Sequence, residues 1–349
     1  MKSPLRGADL LARSLATAGA RHLFALSGNH VMPVFDAALD AKLWIVHVRH
    51  EAAAVHMADA WGRLTGEPGI ALVTGGPGHA NAVGALYTAL ASESPLVLIS
   101  GHAPLAELGK GAFQEMDQAA VAAPVTKASW IARSADTLAG DLVRAWREAK
   151  SGTPGPVHLS IPNDVLDATS SVPVPARAAF GSPEETVVGD VSSMGAAQRP
   201  LIIAGPAAMR KGTRELEEAT GIPAIGMESP RGVNDPSLGR LAEVLARSDL
   251  VLLLGKRVDF TLKFGKAFAP GCRVVDVRNL SGISFRKSDW LEEVRSALRY
   301  RPPEWRTIRS KPEGPIHPAA LCREVQPLLD QRDAILVSDG GEFGQWAQA

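Results

Sequence analysis

The chain has 349 residues, with 37 basic and 37 acidic side chains and 46% hydrophobic residues. That composition excludes disorder, and the neutral balance excludes the basic excess that non-specific nucleic-acid binding requires. Two cysteines cannot build a disulfide framework, no apolar run is long enough to span a membrane, and the N-terminus lacks an apolar signal region. The expectation is a cytoplasmic α/β protein whose length, at roughly 150 residues per domain, gives two domains and a remainder.

Taken in chain order, Ala8–Ala18 has helical spacing and stops at Gly19, a plausible C-cap. His22–Leu26 reads as a strand, Met32–Ala41 as a helix, Trp44–Val48 as a strand, and Ala52–Thr65 as an Ala-rich helix closed by Gly66. Strand Ile70–Val73 runs into a Gly-rich turn, then helix His79–Ala91. Pro95–Ser100 is a continuous apolar strand of the kind buried on both faces. Helix Leu138–Lys150 and strand Val157–Ile161 complete a first domain at 1–169. Strand–helix alternation at this spacing predicts a doubly wound parallel sheet.

Residues 170–183 hold three Pro and little periodicity, which places a linker at 170–190. A central α/β domain follows at 191–298, with strands Pro200–Ala204, Leu250–Leu254 and Arg273–Val277 and helices Thr213–Thr220 and Leu238–Arg247. Five Pro between Tyr300 and Pro318 mark a second linker at 299–318. Residues 319–349 then read as helix Ala319–Leu329 and strand Ala334–Val337, followed by Ser-Asp-Gly-Gly. One helix and one strand cannot bury a core alone, so this stretch is expected to be the beginning of a third domain.

The densest chemistry is His47-Val-Arg-His50-Glu51, with His56 further on. A zinc reading fails, because His50 and His56 are six positions apart and lie about 240° apart around a helix. Glu51 stands just past a strand, on the first turn of a helix. That position suits a carboxylate stabilising the helix dipole, and equally one serving a ligand at the carboxyl end of a parallel sheet. Thr74-Gly75-Gly76-Pro77-Gly78 also follows a strand and opens a helix. It is either a tight turn or a place where backbone approaches a ligand, but it matches neither the dinucleotide fingerprint nor a P-loop. Ser27-Gly28-Asn29 is a further turn after a strand, and Phe113-Gln114-Glu115 sits in a long loop. His30 and His79 are candidates for acid–base groups or for structural histidines.

In order and spacing these segments resemble thiamine-diphosphate enzymes of the acetolactate synthase-like group. The resemblance is carried by Ser27-Gly28-Asn29, Arg49-His50-Glu51, Thr74 to Gly78 with Asn81, Phe113-Gln114-Glu115-Met116-Asp117, Pro124-Val125-Thr126-Lys127 and Gly155 to Val165. It is looser at Ser229-Pro230-Arg231-Gly232 and Leu254 to Arg257, and returns at Val337-Ser338-Asp339-Gly340-Gly341. Ser27-Gly28-Asn29-His30 departs from the Pro-Gly-Gly-Ala of acetolactate synthases.

The resemblance implies decarboxylation or carboligation of a 2-oxo acid. Glu51 would be the carboxylate that hydrogen-bonds the cofactor's aminopyrimidine ring. It puts Gly28, Asn29, Thr74, Gly75, Gly76, Pro77 and Asn81 beside the cofactor, and Phe113, Gln114 and Lys127 on the substrate side. Magnesium and the diphosphate would be held through the third domain, whose Gly-Asp-Gly motif this sequence lacks; no metal ligand is expected in this chain. FAD is compatible with the group, but Ile203-Ala-Gly-Pro-Ala has no dinucleotide fingerprint and Val275-Asp276-Val277-Arg278 lacks a paired-Asp strand end. The implied partners are a second copy, in a homodimer or tetramer, or a chain carrying the diphosphate domain, with no nucleic acid and no membrane. The alternative is a non-catalytic binding or assembly module derived from the family. An unrelated dinucleotide oxidoreductase is disfavoured by the absent glycine fingerprint.

Overall fold

The computed structural model describes residues 3–181 and 196–349, apart from 211, 229–230, 279, 281–282, 286–287, 332 and 339–341. Ser229-Pro230, Asp339-Gly340-Gly341 and much of the first expected linker therefore lie outside the described residues. The chain divides into two compact units, Met1–Glu185 and Thr186–Ala349.

The first unit runs β1 (Leu5–Arg6), α1 (Gly7–Ala18), β2 (His22–Ala25), α2 (Met32–Asp40), β3 (Trp44–His47), α3 (Glu51–Thr65), β4 (Gly69–Val73), α4 (Pro77–Ala91), β5 (Leu96–His102), α5 (Gln118–Ala122), β6 (Ala128–Ile131), α6 (Ala135–Lys150), β7 (Pro156–Pro162), α7 (Asn163–Asp167) and β8 (Thr169–Ser170). Among the described residues six strands form one sheet in the order β3-β2-β4-β5-β7-β6, and β1 pairs with β8. Every pairing within the six-stranded sheet is parallel.

The alternation of side chains along each strand serves two cores. Ile70 and Leu72 pack with Leu11, Leu15, Leu138 and Trp146 from α1 and α6. Ala71 and Val73 face the opposite layer, with Ala54, Ala58, Ala82 and Leu86 from α3 and α4. A sheet covered on both faces explains why β4, β5 and β7 are buried throughout. Phe180 is also buried, and meets Trp146 edge-on with ring centroids 5.9 Å apart.

The second unit contains β9 (Pro200–Ala204), α8 (Pro206–Met209), α9 (Thr213–Thr220), β10 (Ala224–Gly226), α10 (Leu241–Leu245), β11 (Leu250–Leu254), β12 (Arg273–Val277), α11 (Asp289–Arg299), α12 (Pro318–Leu329) and α13 (Glu342–Ala347). Its described strands form a parallel sheet in the order β10-β9-β11-β12. Leu201, Ile203 and Val251 face one core while Ile202, Leu252 and Leu254 face the other. The expected fold class, α/β with two doubly wound parallel sheets, is therefore found, followed by a helical C-terminal segment.

Two expectations are corrected. The helix expected over Leu238–Arg247 is broken, because Gly239 at φ 56° separates the turn Pro236–Leu238 from α10. The strand expected at Ala334–Val337 does not form. A strand needs a paired neighbour, and no pairing to this segment occurs among the described residues; Ile335 and Val337 remain 85% and 87% exposed.

Candidate functional site

The chain leaves β2 for β3 on one side and later returns to β4 on the other. The sheet therefore reverses its winding between β2 and β4. Open α/β sheets bind ligands outside the carboxyl ends of the strands at such a reversal. Residues 26–31, 48–51, 74–78 and 103–117 all leave strands at that end.

Glu51 is the first residue of α3, which His50 caps by accepting the Ala52 N–H on Nδ1 over 3.1 Å. The Glu51 carboxylate is half-buried, and its Oε2 accepts a hydrogen bond from Asn81 Nδ2 at 3.0 Å. Gly78, on the first turn of α4, lies beneath it. A β-carbon there would stand 2.7 Å from Thr74 Cγ2 and 3.3 Å from Glu51 Oε1, so a side chain would press on Thr74 and crowd the carboxylate's second oxygen.

The turn after β2 touches the turn after β4. A β-carbon on Gly28 would come within 2.5 Å of Thr74 Cβ, and His30 Nδ1 shares a hydrogen bond with Thr74 Oγ1 at 3.2 Å. Burial, assisted by His102, holds the His30 imidazole below its usual pKa and so favours its neutral form. Asn29 is exposed at the start of a short 3₁₀ turn, and Pro77 occupies the first position of α4.

Gly76 is left-handed at φ 58°, and its N–H donates to Gln118 Oε1 at 2.7 Å. Gln118 is fully buried; its Nε2 donates to Gly101 O at 3.0 Å and to Ser160 Oγ at 2.6 Å. One side-chain amide thus ties the Gly-rich turn to β5 and β7. Phe113 is 66% exposed and stacks on His30, ring centroids 6.0 Å apart. Gln114 is left-handed at φ 57°, and its carbonyl lies 2.7 Å from where a Gly76 β-carbon would be.

Gly28, Glu51, Thr74, Gly75, Gly76, Pro77, Asn81, Phe113 and Gln114 are accordingly brought to one rim, with Asn29 at its exposed edge. Lys127 is not among them. Its ammonium donates to the carbonyls of Glu148 and Ser151 at the end of α6, 2.5 Å each, where a cation suits the helix dipole. His79 is buried as well. Its Nδ1 meets Ser100 Oγ at 2.8 Å, its ring lies 4.5 Å from His158, and burial lowers its pKa to about 4. Gln118 and His102 went unread in the sequence. A lone Gln opening the apolar run Ala-Ala-Val-Ala was the available signal.

Comparison with known proteins identifies the family. The profile of the thiamine pyrophosphate enzyme N-terminal TPP binding domain matches residues 5–121, which include the first three turns and the Phe113 loop. The probable acetolactate synthase of Mycobacterium bovis is 30% identical over 381 aligned positions, covering 97% of this chain and 69% of that protein. The chain belongs to the acetolactate synthase-like family of thiamine-diphosphate enzymes. The acetolactate synthase isozyme 3 large subunit of Escherichia coli is 32% identical over 73% of this chain and 49% of its own length. The 2-hydroxyacyl-CoA lyase 2 of Danio rerio is 28% identical over 98% of the chain and 68% of its own. The chain spans about half the length of the first curated relatives it matches.

The family cofactor joins an aminopyrimidine ring to a diphosphate. A carboxylate with one oxygen fixed by Asn81 and the other left open by Gly78 suits an aminopyrimidine nitrogen. The diphosphate half needs a divalent cation with fixed oxygen ligands. Among the described residues no group of three or more His, Cys, Asp or Glu side chains is placed to hold one.

Proposed function

We propose that this chain supplies the pyrimidine-activating half-site of a thiamine-diphosphate-dependent decarboxylation or carboligation of a 2-oxo acid. When bound, the cofactor supplies the nucleophilic carbon and the electron sink. The carboxylate of Glu51 holds a proton at the pyrimidine ring nitrogen through Oε1, with Asn81 fixing Oε2. Gly28, Thr74, Gly75, Gly76 and Pro77 present a side-chain-poor wall against which a planar ring packs. Phe113 and Gln114 close the substrate side. The observation that carries this reading is the Glu51–Asn81–Gly78 arrangement at the reversal of the sheet.

Glu51 is only half-buried in the single chain, whereas its hydrogen bond gains strength when water is excluded. The neighbouring faces of α3 and α4 expose Met57, Leu64 and Tyr87, which supports cover by a second copy or by a chain bearing the diphosphate-binding domain. In this reading magnesium and the diphosphate are held by that other part. The second reading is a non-catalytic binding or assembly role, in which the same exposed apolar faces are covered by a partner without turnover.

The deciding experiment supplies a diphosphate-binding domain in trans with thiamine diphosphate and magnesium, then offers a panel of 2-oxo acids. Release of carbon dioxide or formation of a 2-hydroxy ketone, dependent on this chain, is the expected result. No product from any substrate, with the two parts shown to associate, favours the assembly reading.

A further inference from the structure

The loop over residues 103–117 carries Phe113 and Gln114, yet its middle is exposed at Gly109, Lys110 and Gly111. Both ends are anchored by other parts of the unit. Leu105 N–H donates to the Asp164 carboxylate at 3.0 and 3.1 Å, and His102 Nε2 meets Met116 O at 2.9 Å.

Between those anchors the loop is gathered by one side chain. Glu115 Oε1 accepts the N–H of Gly109 at 2.5 Å, and Oε2 accepts those of Gly111 and Ala112 at 3.1 Å each. Gly109 and Gly111 are left-handed, at φ 79° and 75°, which turns these amides toward a common point. Convergent amides of this kind form an anion-binding concavity, and here the anion belongs to the chain itself. The same three amides hold the Glu115 carboxyl below the usual carboxylate range, so it stays charged at neutral pH.

The two residues before it inherit their places from this arrangement. Phe113 reaches the His30 ring, and the Gln114 backbone lies against Gly76. We propose that Glu115 is the positioning residue of the substrate-side loop: its two oxygens fold residues 109–112 and thereby set Phe113 and Gln114 over the Gly-rich turn before any ligand binds. The inference rests on the substrate-side reading of Phe113 and Gln114, but its test needs neither cofactor nor turnover.

Hydrogen exchange read by mass spectrometry on the full, unliganded chain tests it. In Glu115→Ala, peptides covering residues 108–113 should exchange roughly tenfold faster, while those from β4 and β5 keep their wild-type rates. Trypsin cleavage after Lys110 should rise in step. Glu115→Gln keeps one acceptor oxygen and should rescue part of the protection. Wild-type exchange at 108–113 in Glu115→Ala overturns the proposal. So does an acceleration shared equally by β4 and β5, which would make Glu115 a contributor to general stability alone. Failure of the cofactor reading would leave these rates unchanged.

Discussion

Asn81 on α4 donates from Nδ2 to Oε2 of Glu51 at the start of α3, over 3.0 Å. Two residues thirty positions apart thereby fix one carboxylate oxygen, while the other lies beside Gly78. A hydrogen bond to a charged group contributes about 1.5–3 kcal/mol. Asn81→Ala, in the enzyme assembled with its diphosphate-binding half, should therefore lower turnover roughly 10- to 100-fold. Steady-state kinetics alongside a thermal melt separates this from unfolding, since the variant should remain folded at the assay temperature while turnover falls.

Gln118 is the internal fastening of the Gly-rich turn. Removing its side chain leaves the Gly76 N–H and the Gly101 carbonyl without their partner and opens a void beside Ser160. Gln118→Ala should cost about 2–4 kcal/mol, read from the midpoint of urea unfolding at unchanged slope.

Glycine requirements differ sharply by position. Alanine at Gly76 meets both a left-handed backbone and the Gln114 carbonyl, so Gly76→Ala should destabilise by about 2 kcal/mol. Gly140, inside α6, has open space where a β-carbon would go, and Gly140→Ala should stabilise by about 0.5–1 kcal/mol. Paired denaturation curves check both signs at once.

The buried His79 sets a pH dependence. Its pKa falls to about 4 in the fold, against an ordinary value near 6.5, so the unfolded chain binds more protons between those values. The associated stability is fully present above the ordinary value and is lost as pH falls toward about 4. Between pH 7 and pH 5 the loss should be about 2 kcal/mol. His158, its ring tilted against that of His79 with centroids 4.5 Å apart and likewise held below its usual range by burial, acts in the same direction. In His79→Gln, urea unfolding at the two pH values should show a smaller difference than in the wild type.

Much of this fold was legible because buried parallel strands are nearly all apolar. Pro200–Ala204 and Leu250–Leu254, buried throughout, begin and end where the sequence puts them, as does the more exposed edge strand Arg273–Val277. The rim turns were legible because each follows a strand, buried at Gly69–Val73 and partly exposed at Trp44–His47. β6 escaped notice: it lies at the sheet edge, is half-buried along its length, and begins beside Lys127 without clean alternation. α5 is five residues long, too short to show a period. The reach of Lys127 to the end of α6 and the burial of Gln118 depend on partners distant in sequence, which no local pattern encodes. Ala334–Val337 shows the converse, since an apolar run forms a strand only when a neighbour accepts its backbone.

The role proposed for Glu51 is tested most directly by Glu51→Gln in the chain supplied with a diphosphate-binding domain in trans, compared with wild type at saturating thiamine diphosphate and magnesium. The change keeps the shape of the side chain and its acceptor to Asn81 but removes the charge proposed to hold a proton at the pyrimidine nitrogen. The account predicts a loss of turnover of roughly 100-fold or more, with the hydrodynamic size and melting temperature of the assembly unchanged. Turnover within a few-fold of wild type would contradict it.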